Sequence, residues 1–334
     1  MTTAVTICDD SNLARKQIAR SLPEHWDIEV TFATNGIEGL QAVKDGKAEV
    51  LFLDLTMPEM DGYQVLEALF KNKMQTNVIV VSGDIQPEAH ERVTSLGALA
   101  FIKKPADPDQ LAMILDEYDL LVETTSVSNE VAEQVNEQPI PLRDSYQEVS
   151  NVAMGQAADL LARLLDAFIV LPIPSVNTIE VSDLQMALQS IESRDTVSSV
   201  CQGFIGSGVA GEALLIFNDS SFSDIAKLMK FEGDLDRNVE LELLMDIGSV
   251  LNGAFLKTFA EQLDMQFSQG HPKILGQHCN ITDLIKPENV SWRETLAIEI
   301  HYSIEGYNIN CDLLILFSED SIEELNHRVS FYSA

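Results

Sequence analysis

The chain is poor in bases, in cysteine and in long apolar runs. Lys and Arg number 21 against 53 Asp and Glu, a formal net charge of −32. A surface this acidic repels phosphate backbones, which argues against nucleic acid as a partner. The imbalance runs along the whole length, with 20 acids and 10 bases in residues 1–122 and 33 against 11 beyond them. The four cysteines, Cys8, Cys201, Cys279 and Cys311, lie far apart, with no Cys-x-x-Cys pair and no histidine at metal spacing. They read as free, buried thiols in a reducing cytoplasm, which excludes a disulfide frame or a zinc site. No apolar run approaches the ~20 residues that span a bilayer, the nearest being broken by Arg163 and Asp166. No signal peptide precedes the first strand-like segment. A soluble, cytoplasmic protein without membrane insertion is expected, and 334 residues at 46% hydrophobic content suffice for two packed cores.

What the first third does contain is a set of reactive groups, each closing a strand-like segment. Ala-Val-Thr-Ile-Cys precedes Asp9 and Asp10, Val-Leu-Phe-Leu precedes Asp54, Val-Ile-Val-Val precedes Ser82, and Phe-Ile-Lys precedes Lys104-Pro105. Helical periodicity fills the intervals. This alternation predicts a doubly wound, five-stranded parallel sheet whose strands deliver these groups to one crevice at their carboxyl ends. Three crowded carboxylates repel one another unless a divalent cation neutralises them, and hard oxygen ligands without His or Cys favour Mg2+. A carboxylate beside such a metal can attack a phosphoryl group.

The constellation resembles the receiver domain of two-component response regulators. Asp54-Leu-Thr-Met-Pro58-Glu-Met-Asp-Gly62 follows that family's loop after the third strand, and Phe101 stands three residues before Lys104 where the family places its aromatic switch. The resemblance implies a flavodoxin-like fold over residues 1–122, with Asp54 as phosphoryl acceptor and a histidine kinase as phosphodonor. It further implies Mg2+ held by Asp9, Asp10, Asp54 and the Thr56 carbonyl. Lys104 and Ser82 then bind the phosphate, and Pro105 follows a cis peptide.

Residues 123–141 are polar, lack bases and end in two prolines, the composition of a flexible linker. Val127, Val131 and Val135 allow a short helix within it. The remainder, 142–334, repeats a plan of long helix followed by hairpin. Leu142 to Ile169 is helical, with Val149, Val152, Leu160, Leu161, Leu164 and Leu165 as core candidates, and Asn238 to Gln262 is the second helix. Phe204 to Phe217 reads as a hairpin: its glycines lead into a strand, unlike a phosphate loop. A second hairpin joins Thr295–Ile304 to Tyr307–Phe317 through Glu305-Gly306. Glu148-Val-Ser-Asn151 and Asp246-Ile-Gly-Ser249 occupy matching places, so a pseudo-twofold α/β domain with two long helices on a mainly antiparallel sheet is expected.

This half resembles the CheC, CheX and FliY chemotaxis phosphatases, whose signature is Glu-x-x-Asn on each of two long helices. The resemblance implies that Glu148 docks against the phosphate-binding lysine of a phosphorylated CheY-like receiver while the Asn151 amide orients water for in-line attack. At the second site Asp246 is shorter than Glu and Ser249 offers no amide, so that site is degenerate. Asn252, a turn further, is an alternative amide displaced about 4.5 Å along the axis. Asn151 is expected on an exposed face. Three functions stay open: a phosphatase acting on a partner receiver under control of Asp54, a phosphate sink that clears its own Asp54, and a non-catalytic docking module.

Overall fold

In the computed structural model, residues 2–121, 140–180, 196–280 and 294–332 are described. All but the end of the expected linker, with its three valines, lies outside them. The chain divides into two compact units, Met1–Asp144 and Ser145–Ala334.

The first unit alternates strand and helix: β1 (Thr3–Cys8), α1 (Asn12–Ser21), β2 (Ile28–Ala33), α2 (Gly36–Lys44), β3 (Val50–Leu53), α3 (Gly62–Asn72), β4 (Asn77–Ser82), α4 (Pro87–Ser95), β5 (Ala100–Lys103) and α5 (Pro108–Glu117). The sheet order is β2-β1-β3-β4-β5, and every pairing is parallel. All four residues of β3 are buried because the sheet is covered on both faces. Val5, Ile7, Phe52, Ile79 and Val81 pack against Ile18 of α1 and Leu111 and Leu115 of α5. Cys8, Leu51, Leu53 and Val80 pack against Val65, Leu66 and Leu69 of α3 and Val93 of α4. Four helices begin at side-chain caps, Ser11, Asn35, Asp61 and Asp107; Asp61 and Gln64 form a reciprocal capping box.

The second unit runs α6 (Leu142–Leu165), β6 (Ile169–Val170), β7 (Ser175–Glu180), β8 (Val197–Gly206), β9 (Val209–Asn218) and α7 (Phe222–Leu228). The same series then recurs as α8 (Arg237–Gln262), β10 (Ser268–Gln269), β11 (Lys273–Cys279), β12 (Glu294–Ile304), β13 (Asn310–Phe317) and α9 (Ile322–Tyr332). A 3-10 turn precedes both short helices, at Asp219–Ser221 and Glu319–Ser321. The long helices stop alike, at Asp166 and Asp264 with φ of 53° and 52°.

The antiparallel sheet is ordered β10-β8-β9-β13-β12-β6, with β11 also on β8 and β7 also on β12. The copies are therefore interlaced. The edge strands of the second, β10 and β11, complete the hairpin of the first, and β6 and β7 of the first complete the hairpin of the second. Val149, Ala153, Ala157 and Leu161 of α6 join Leu244, Leu251, Phe255 and Phe259 of α8 and Leu215, Phe217, Leu313 and Ile315 of the strands in one core. The intervening strand residues Leu214, Ile216, Leu314 and Leu316 form a smaller cluster on the opposite face, as alternation requires.

The hairpin reading of the glycine-rich segment holds: Ser207 and Gly208 turn with φ of 52° and 80°, the paired left-handed conformation of a tight two-residue turn. The first helix stops at Leu165, short of the expected Ile169, which lies in β6. Leu160 and Leu164 are exposed, because the core-facing stripe there runs through Leu161 and Leu165. The last strand starts at Asn310, later than the expected Tyr307.

Candidate functional site

The parallel register brings the strand ends of the first unit together. Leu53 of β3 pairs with Cys8 and with Val80, and the Asp54 N–H donates to the Cys8 carbonyl at 2.9 Å. The Lys104 N–H likewise donates to the Ser82 carbonyl at 2.9 Å. Asp9, Asp10 and Asp54 consequently offer carboxylate oxygens within 4.8 Å of one another. Lys104 Nζ reaches Asp9 Oδ2 at 2.7 Å and Asp54 Oδ2 at 3.3 Å, and Asp9, Asp54 and Lys104 are all buried. One ammonium cannot balance three carboxylates, two of them buried, so a divalent cation fits this donor set by charge and ligand chemistry.

Backbone donors hold two of the carboxylates. The Ser11 N–H donates to Asp9 Oδ1 and the Leu55 N–H to Asp54 Oδ1, both at 2.8 Å. The approach of α3 depends on Gly62: a Cβ there would lie 2.2 Å from the Asp54 carbonyl oxygen. Ser82 is buried and its Oγ accepts from the Asp84 N–H at 3.1 Å. Thr56 and Phe101 are half-buried; the Phe101 ring lies 5.6 Å from that of His90, and the Lys104–Pro105 peptide is cis. Cys8, between the acids and the core, has its thiol pushed up to about 12 by burial, then by Asp9 and Asp54, and is chemically inert.

Two contacts here have no counterpart in the sequence reading. Arg15 Nη1 donates to the carbonyls of Asp9 and Asp10, bracing the acidic turn from α1. Tyr63 Oη donates to Asp84 Oδ2 at 3.2 Å across 21 residues. Proximity of Asp84 to Ser82 was the one available signal.

The second unit departs from expectation in accessibility. Glu148 and Asn151 share one side of α6, as their spacing requires, but they are 1% and 5% exposed, not on an open surface. With Val152, Gly155 and Asp159 they form a buried stripe on the side of the helix away from Val149, Ala153, Ala157 and Leu161. On α8 the corresponding Asp246 and Ser249 are exposed. The Ser249 hydroxyl donates to the Met245 carbonyl at 2.7 Å, so it is spent on its own helix. Asn252 cannot replace the missing amide: it is 0% exposed, with neither amide atom hydrogen-bonded.

Residues 5–116 match the response regulator receiver domain model, and this part of the chain is a receiver domain. Protein-glutamate methylesterase/protein-glutamine glutaminase 3 of Geobacter sulfurreducens is 32% identical over 153 residues, covering 46% of this chain and 40% of that protein. The uncharacterized transcriptional regulatory protein YhcZ of Bacillus subtilis is 28% identical over 151 residues, covering 44% of this chain and 69% of its own. The chain spans 40% or less of the methylesterase relatives it matches first. Among solved structures, Thermotoga maritima FliY has a TM-score of 0.46 at 19% identity, covering 59% of this chain and 99% of that one. Among the described residues no helix is long and apolar enough to cross a membrane.

Proposed function

We propose that this chain is a two-component signalling protein of the chemotaxis type, in which phosphorylation of Asp54 controls a phosphatase helix that acts on the aspartyl phosphate of a partner receiver. The observation that carries the reading is the duplication of the second unit, which sets Glu148 and Asn151 on one long helix where Asp246 and Ser249 stand on the other. A bare Glu-x-x-Asn has little weight, but one placed at matching points of an interlaced repeat, in a chain with a receiver domain, agrees with the CheC-like resemblance at several levels. The domains are taken as residues 1–122 and 142–334, joined by 123–141.

In this reading a histidine kinase supplies the phosphoryl group and the Asp54 carboxylate is the nucleophile. Asp9, Asp10 and Asp54, with the Thr56 carbonyl, would hold Mg2+, which neutralises charge on the carboxylates and the phosphoryl oxygens. Lys104, already against Asp54, pairs with the phosphate, and the Ser82 hydroxyl donates to it. Ser82 and Phe101 then carry the change outward. On α6 the Asn151 amide positions water without repelling the phosphate, and the longer Glu148 docks on the partner's lysine.

The test is phosphate release from two substrates in parallel: a separately phosphorylated receiver, and this chain's own phospho-Asp54. Release in trans that changes when beryllofluoride occupies Asp54, and is lost in Asn151→Ala, is expected. A trans rate indifferent to beryllofluoride, with a longer-lived phospho-Asp54 in Asn151→Ala, would instead identify self-clearance. Release from neither substrate would leave a docking module.

A further inference from the structure

Asp84 is a buried acid two residues beyond the hydroxyl that closes β4, and it forms the hub of a network outside the acceptor cluster. Its N–H donates to Ser82 Oγ at 3.1 Å, so its backbone is fixed against the Ser82 side chain. Oδ1 accepts from the Gln86 N–H at 3.2 Å and from Gln86 Nε2 at 3.0 Å, while Oδ2 accepts from Tyr63 Oη. Asp84 and Gln86 are 3% and 1% exposed. Tyr63 directly follows Gly62, the residue wedged against the Asp54 backbone, so its position is tied to the acceptor loop. The Arg92 guanidinium lies over the Tyr63 ring, 5.0 Å from its centroid. Burial, then the charge of Asp84, holds the phenol protonated and able to donate.

The placement matters because the adjoining pocket receives an anion. Asp9, Asp10 and Asp54 already crowd it, and a further carboxylate turned toward it would oppose a phosphoryl group in a medium that screens poorly. The bonds to the Asp84 side chain described above come from the first turn of α3 and from the start of α4. We propose that Tyr63 and Gln86 are positioning residues that hold the Asp84 carboxylate aside from the phosphoryl pocket. This rests on Asp54 being the acceptor. It predicts that loosening the hold penalises anion binding, and that removing the charge removes the penalty.

The experiment measures the affinity of the full chain for beryllofluoride in the presence of Mg2+, alongside the rate of labelling by acetyl phosphate. Tyr63→Phe should weaken beryllofluoride binding by about 3- to 10-fold, the net effect of one typical hydrogen bond, and slow labelling in proportion. Adding Asp84→Asn to Tyr63→Phe should restore both to within about twofold, since the amide carries no charge to repel the anion. Gln86→Ala should act in the same direction as Tyr63→Phe, and it takes over the test if that variant is misfolded by circular dichroism. Wild-type binding in both single variants overturns the proposal. So does a weakening that Asp84→Asn fails to rescue, the result expected of a merely structural tyrosine. Failure of the wild-type chain to bind beryllofluoride, or undiminished binding in Asp54→Asn, would overturn the acceptor assignment itself.

Discussion

On α6 the carboxylate of Glu148 and the amide of Asn151 are 1% and 5% exposed, whereas on α8 the matching Asp246 and Ser249 are exposed and lack the amide. Setting Glu148 opposite Asp246 also brings Met154 opposite Asn252, Gly155 opposite Gly253 and Asp159 opposite Lys257. The ion pair one turn on is reversed in sign: Arg163 binds a buried Asp159 through both carboxylate oxygens, while Lys257 and Glu261 meet at 3.8 Å in solvent. Beside Gly253 and Lys257 an open groove of about 770 Å3 follows α8 to Asp264, Gln266 and Gln269. The two helices of one plan thus differ in side-chain chemistry at matching positions, an amide at Asn151 against a hydroxyl at Ser249.

The sharpest way to break this comparison is to remove the side chains that distinguish the helices. Asn151→Ala should cut phosphate release by roughly ten- to a thousandfold, as expected for loss of a positioning group, and Ser249→Ala by less than about twofold. Equal losses would mean that both helices act. A structural difference comes next. Gly206 closes β8 with no room for a Cβ, which would lie 2.0 Å from the Gln266 carbonyl oxygen, so Gly206→Ala should destabilise the second unit by about 2–4 kcal/mol in urea unfolding. A smaller effect of opposite sign is expected at Asn252, whose amide is fully buried without a hydrogen bond where the first helix has Met154. Asn252→Met should raise stability by about 1 kcal/mol, and a fall in Tm would show that the amide has a use.

The smallest effect is pH-dependent and centres on His278 of the second copy. His278 Nδ1 meets Asp219 Oδ2 at 2.9 Å and Nε2 meets Glu240 Oε2 at 2.8 Å, fastening β11 to the first turn of α8. The hydrogen bond to Asp219 is the main cause that raises its pKa, with the charges of Asp219 and Glu240 adding to it. A raised folded pKa means that the stabilisation is complete below the usual histidine value of about 6.5 and is lost as pH climbs through the folded one. His278→Gln should therefore melt below the wild type at pH 6 and level with it at pH 9, with the gap narrowed by salt because the ring is half-exposed. A gap that persists at pH 9 would point to packing.

The receiver half was readable because its signal is local. Asp9, Asp54, Ser82 and Lys104 each end a short apolar strand, and parallel pairing alone forces such ends together. Tyr63 and Asp84 were not readable, since their contact depends on where α3 lies over the sheet. The two long helices and their hairpins followed from periodicity and from turns such as Ser207-Gly208. Two-residue strands such as β6 and β10 carry no pattern of their own, so the interlacing was invisible. The burial of Glu148 and Asn151 escaped for a different reason. Spacing along a helix determines which residues share a side; whether that side is wet is decided by what packs over it.

The exchange of edge strands between the two copies also explains how their sites could diverge. Had each copy closed its own sheet, the second could have been dropped. Because β10 and β11 complete the hairpin of the first copy, the second is indispensable as a chassis whatever becomes of its chemistry. Duplication with swapped arms makes inheritance of the body compulsory and leaves matching surface positions such as Asp246 and Ser249 free to differ.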